Sequence, residues 1–146
     1  MFKEIFSKPS IYQRVAVGKS AGFILGLIFF FLLPMVWEDA PMRLQWGVLL
    51  WYTTMGAFIG LFSVMTDYPL FNLRFSWWFR GIWIGGWMNF ILSLIAYDTF
   101  AQMMPVMMDG AFAGMSPYWV TAEGAIAGLI MAFFTQKYAG EGTENL

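Results

Sequence analysis

The side chain with the greatest chemical reach in this sequence is Glu123. It opens the stretch EGAIAG at 123–128, inside what reads as the last apolar segment. A carboxyl group there can take up and release a proton, hold a cation, or hydrogen-bond a neighbouring helix. It stands 14 residues before Lys137. On a helix that puts it roughly 21 Å from one hydrocarbon boundary and about 9 Å from the other. The plainer alternative is a helix that begins lower, leaving the carboxylate near the headgroups at a positive helix N-terminus. Asp98 lies 18 residues after Arg80, roughly 27 Å along a helix and so at or near the outer interface. Asn89 and Ser93 are one turn apart and share a face with Gly85 and Gly86, whereas Asp98 falls half a turn out of phase with Asn89. The two acids and Asn89 therefore cannot line one straight path on that helix. Asn89 is expected instead to bond across to Thr53 or Thr54 of a second helix.

A further chemical signal is MMPVMM at 103–108. Thioethers suit Cu(I), and Met103 with Met107, or Met104 with Met108, would stand a turn apart on a helix. Met also beds well into irregular apolar packing, and the chain has neither Cys nor His to complete a metal site. Apart from Cu(I), no cofactor is expected. The same absence excludes disulfides, thiolate chemistry and the Ser-His and Cys-His nucleophile pairs. The GKS at 18–20 lacks the upstream glycine of a phosphate-binding loop. No spacing brings Asp98 and Glu123 together for acid–base work, so no catalytic residues and no enzyme are expected.

The elements that must position these groups are set by composition. The chain is 60% hydrophobic and 12% charged, against about 25% charged in soluble domains. Its 16 Phe and 8 Trp agree with a bilayer environment, where Trp gathers at the headgroup level. A net charge of −1 offers no basic face for nucleic acid. Gaps between charges mark four spans at about 20–37, 44–65, 80–101 and 118–137, the last of which must contain Glu123 to be long enough. The expected fold is therefore an all-α membrane protein with four transmembrane helices in a compact bundle over 14–137. A short N-terminal interfacial helix over 1–13 precedes it, in which Phe2, Ile5 and Phe6 share a face, and a polar tail over 138–146 follows. Lys3, Lys8, Arg14, Lys19, Arg74, Arg80 and Lys137 fall on one side and Arg43 on the other. Both termini are expected to be cytoplasmic, in an inner membrane. The stretch PMVWEDAP after Leu33 has no small-residue cleavage site, so the first helix is expected to remain. The apolar loop over 102–117 is expected to lie along the outer membrane surface.

Small residues recur on every span. Gly18, Gly22 and Gly26 mark helix one, Gly56 and Gly60 helix two, Gly81 and Gly85 helix three, and Gly124 and Gly128 helix four. In lipid such steps let backbones approach closely. They serve either to assemble the chain's own bundle or, at 18-22-26, to contact a second copy or a partner. Helix count and size are similar to small multidrug transporters, but the membrane-embedded glutamate of that group's first helix has no counterpart between Lys19 and Glu38. The expected function is a small polytopic membrane protein that acts through helix packing, as an oligomer or as a subunit of a larger membrane complex. Two other readings follow from the polar residues: a small proton or metal-cation channel or transporter built on Glu123 and an acidic outer rim, and a Met-rich copper-handling protein.

Overall fold

The computed structural model describes residues 11–62, 67–68, 73–74 and 76–140. Five α-helices make up nearly all of this: α1 (Ile11–Val36), α2 (Met42–Phe62), α3 (Trp77–Ile95), α4 (Tyr97–Met103) and α5 (Trp119–Ala139). A single 3-10 turn follows α4 at Met107–Gly110. Among the described residues the only strand pairing is a two-residue antiparallel ladder between α2 and α3, Asp67 opposite Arg74 and Tyr68 opposite Leu73. By length and apolarity α1 and α5 can each cross a membrane, and α3 with α4 makes a third span if that bent pair is counted as one.

Glycine decides the pairing. α1 packs antiparallel on α2, and α3 packs antiparallel on α5. A Cβ added to Gly18 would fall on the Gly56 carbonyl oxygen and one on Gly22 on that of Tyr52, while one on Gly26 would stand 2.8 Å from the Leu49 carbonyl oxygen. The second pair repeats the arrangement: a Cβ on Gly85 would meet the Gly124 carbonyl oxygen, and one on Gly128 that of Gly81. Backbones this close leave no room for any side chain, so these positions accept only glycine. Between the two hairpins lies the core, Tyr52, Met55 and Ile59 of α2 against Ala127, Met131 and Ala132 of α5.

The ends of the helices follow from local chemistry. Pro34 stands within the last turn of α1, and the chain leaves the helix two residues later through a turn in which Ala40 donates to the Trp37 carbonyl. Pro41 cannot donate, but its carbonyl accepts the first bonds of α2 from Leu44 and Gln45. At the same end of the bundle α3 stops at Ile95 and the chain turns by 90° at Ala96 into α4, which lies across the helix ends. Phe100, Met103 and Met104 of this cap pack on Val120, with Leu33, Trp37 and Phe112 around them. We call this the capped end, and the opposite one, where Arg14 meets Gly140, the terminal end.

Two expectations change. The third span does not continue to 101: burial of Phe100 and Met103 against Val120 rewards a bend over a longer straight helix, and only the part to Ile95 stays in the bundle. Residues 1–10 of the expected interfacial segment over 1–13 lie outside the described residues, as do 141–146 of the tail. The loop over 102–117 is not a surface strip alone, since its Met103, Met104 and Pro117 are buried beneath it.

Candidate functional site

The polar residues of the bundle converge near its capped half. Along α3 the positions Gly81, Gly85, Asn89 and Ser93 recur every four residues and are all buried, which puts Asn89 where the glycine seam with α5 ends. Its Cβ and Cγ lie directly over Gly124, whose lack of a side chain makes the room. Fully enclosed, the amide has its donors and acceptor engaged: Nδ2 donates to the Val120 carbonyl at 2.9 Å and to the Tyr52 hydroxyl at 3.3 Å, and Oδ1 accepts from Trp51 Nε1 at 2.9 Å. The Glu123 carboxyl lies close to the Tyr52 hydroxyl. Trp51, Tyr52, Asn89 and the Val120 carbonyl thus form one hydrogen-bonded network across α2, α3 and α5, with Glu123 at its edge. In hydrocarbon each member needs such partners, because no water is there to replace them.

Glu123 is partly buried and turned toward α2, one turn inside the start of α5. Neither the cavity beside Arg80 nor the groove beside Lys19 is lined by Glu123, Tyr52 or Asn89. Chemically, this arrangement can pin three helices in one register, and it holds a protonatable group beside a tyrosine hydroxyl.

The other singled-out residues are placed differently. Thr53 and Thr54 do not reach Asn89: their hydroxyls donate back to Leu49 and Leu50 of their own helix, at 2.7 and 2.8 Å. Asn89 does cross to α2, but to the aromatic pair just before them. Ser93 is fully buried and donates to the Phe90 carbonyl at 2.6 Å, satisfying itself locally. Asp98 is exposed in the first turn of α4, where a carboxylate suits the helix N-terminus, and is not part of the network. Of the four methionines, Met103 and Met104 are buried in the cap cluster, Met107 packs at its edge and Met108 is exposed. They divide between core and surface as apolar side chains do. Among the described residues no group of three or more acidic side chains is placed to hold a metal ion.

Sequence reasoning missed three participants. Trp51 and Tyr52 read as membrane aromatics, although a phenol or indole far from either headgroup region needs a polar partner. Arg14 read as a cytoplasmic charge, yet it is fully buried at the terminal end and its Nη1 donates to the Gly140 carbonyl at 3.0 Å. That bond engages a carbonyl just past the last turn of α5, where a cation also complements the helix dipole. The signal was present: Arg14 falls four residues before Gly18, in phase with the glycine face. Nearby, Ile59, Trp77, Arg80 and Thr135 enclose a cavity of about 10 Å³, room for one water molecule. Comparison with protein-family models, with curated proteins and with solved structures finds no match to this chain.

Proposed function

We propose that this chain is a four-span membrane protein that acts through its outer surface, as an oligomer or as a subunit of a larger membrane complex. The observation that carries the reading is that the glycine seams and the central amide of the polar network are closed inside one chain, leaving long apolar ridges outside. These ridges include Phe23, Ile24, Ile28 and Phe31 on α1 and Trp83, Trp87 and Leu94 on α3. Support for the fourth span comes from the pairing itself. α2 runs against α1 from Gly60 beside Arg14 to Leu49 beside Gly26, so a bilayer that holds α1 holds α2 at the same depth. The excess of Lys and Arg at the terminal end agrees with cytoplasmic termini and an inner membrane.

Because Gly18, Gly22 and Gly26 are consumed by α2, association uses bulky side chains rather than the glycine step on helix one. The test is a photo-crosslinking residue placed at Phe31 or Trp83 in membranes of the native host. Crosslinks to a second copy or to one defined membrane protein are the expected result. Crosslinks to lipid alone, with a monomeric mass in native nanodiscs, would refute the proposal.

A second reading has one observation in its favour, the placement of Glu123 beside the hydrogen-bonded group of Tyr52, Asn89 and Trp51. On that reading Glu123 exchanges a proton or cation with the outer side. Sealed vesicles settle it: Glu123→Gln abolishes uptake, and flux equal to that of the wild type removes the role.

A further inference from the structure

On the outside of the α1–α2 hairpin a groove of about 510 Å³ is lined by Ala16, Lys19, Ser20, Phe23 and Ile24 of α1 and by Thr53 of α2. Its two ends differ in chemistry. Ala16, Lys19 and Ser20 form a small-residue end with one cation, while Phe23 and Ile24 continue as an apolar wall facing outward. The Ser20 and Thr53 hydroxyls are turned back on the Ala16 and Leu49 carbonyls, so they add no donor to the groove and its floor is effectively apolar. No acidic side chain lines it, and Lys19 is exposed there.

We infer that this groove holds one acyl chain of an anionic phospholipid, with Lys19 bound to the headgroup phosphate. The groove is open toward the surrounding lipid and apolar apart from Lys19, so an acyl chain can lie along Phe23 and Ile24. The lysine stands where the apolar run of α1 begins, at the level at which headgroups meet hydrocarbon, and a basic group beside a groove between helices selects anionic lipid. A second copy in the groove is the competing occupant, and it would give a dimer with no retained lipid in the experiment below, which overturns the assignment.

The inference shares with the proposed function only the placement of α1 and α2 in a bilayer; it needs no protein partner, and lipid retention is measured on the isolated chain. The full-length protein is reconstituted in nanodiscs of equal parts phosphatidylglycerol and phosphatidylethanolamine, extracted into mild detergent, and its retained lipid identified by native mass spectrometry. Wild type is expected to keep one phosphatidylglycerol in preference to phosphatidylethanolamine. Lys19→Gln lowers that preference roughly fivefold, the effect of one basic residue at an anionic surface, and Lys19→Arg preserves it. Ser20→Trp, at an exposed position outside the glycine seams, fills the groove and removes the stoichiometric lipid of either kind. Equal retention of both lipids by wild type overturns the assignment, as does a preference that survives both Lys19→Gln and Ser20→Trp.

Discussion

Replacing Asn89 by alanine removes the side chain through which α3 hydrogen-bonds α2 and α5 together. The cost follows from its partners. Three interhelical hydrogen bonds, from Trp51 Nε1 at 2.9 Å, to the Val120 carbonyl at 2.9 Å and to the Tyr52 hydroxyl at 3.3 Å, are lost. Bonds of this kind in membranes contribute about 0.6 kcal/mol each, which gives about 2 kcal/mol. A half-buried Trp51 N–H left without an acceptor adds about 1 kcal/mol. Alanine keeps the Cβ that covers Gly124, so little of the loss comes from the seam itself. The expected destabilisation is therefore about 3 kcal/mol, measured by steric trapping or by denaturant titration in bicelles of fixed composition.

Attribution to the network rather than to lost packing rests on a double-mutant cycle with Trp51→Phe, which deletes the N–H and keeps most of the ring. The coupling expected between the two changes is about 0.6 kcal/mol, with the double mutant less damaged than the sum. Strict additivity, or a loss below about 0.5 kcal/mol for Asn89→Ala, would show that the enclosed amide does not hold the three helices together.

Gly85→Ala drives a methyl onto the Gly124 carbonyl oxygen and is expected to cost about 1–3 kcal/mol in the same unfolding assay. Gly47→Ala, which meets nothing within 4 Å, is expected to stabilise by about 0.4–1 kcal/mol. Arg14→Gln loses the charged bond to the Gly140 carbonyl; a drop of about 1.5–3 kcal/mol is expected, with faster hydrogen exchange confined to the amides of 136–140. Under mild peroxide, mass spectrometry is expected to find Met108, 55% exposed, oxidised well before Met103 at 6% and Met104 at 3%.

Helix positions and the glycine faces were legible because both depend on local features, the length of uncharged runs and a four-residue spacing of small residues. The bend at Ala96 was not. Nothing in SLIAYDTFAQ breaks a helix by its own preference, and the turn is decided by what Phe100 and Met103 gain against Val120, twenty or so residues away. The partner choice of Asn89 was half legible. A buried amide in a membrane helix announces that it needs a partner on another helix. Whether that partner is Thr53 or the neighbouring Tyr52 depends on the rotation of α2, which Gly56 and Gly60 set by their contact with Gly18, Gly22 and Arg14. Threonine in a helix also has its own carbonyl four residues back as an acceptor, and both threonines take it.

The two hairpins answer each other position by position, and the places where they differ locate the protein's specificity. In α1 the small residues run Gly18, Gly22, Gly26; in α3 the corresponding run is Gly81, Gly85, Asn89. A seam of glycine alone is poor at fixing register, since one four-residue slip replaces glycine by glycine. The asparagine cannot slip. Displaced by one turn, its amide would stand at the level of Gly85 or Ser93 and lose Trp51, Tyr52 and the Val120 carbonyl, at the cost of unpaired polar groups in hydrocarbon. Its acceptor Val120 belongs to α5 and its donor Trp51 to α2, so the same side chain sets the register of α3 within its hairpin and of that hairpin against the other. The glycine seams supply the closeness of the bundle, and Asn89 determines which of the possible close arrangements is adopted.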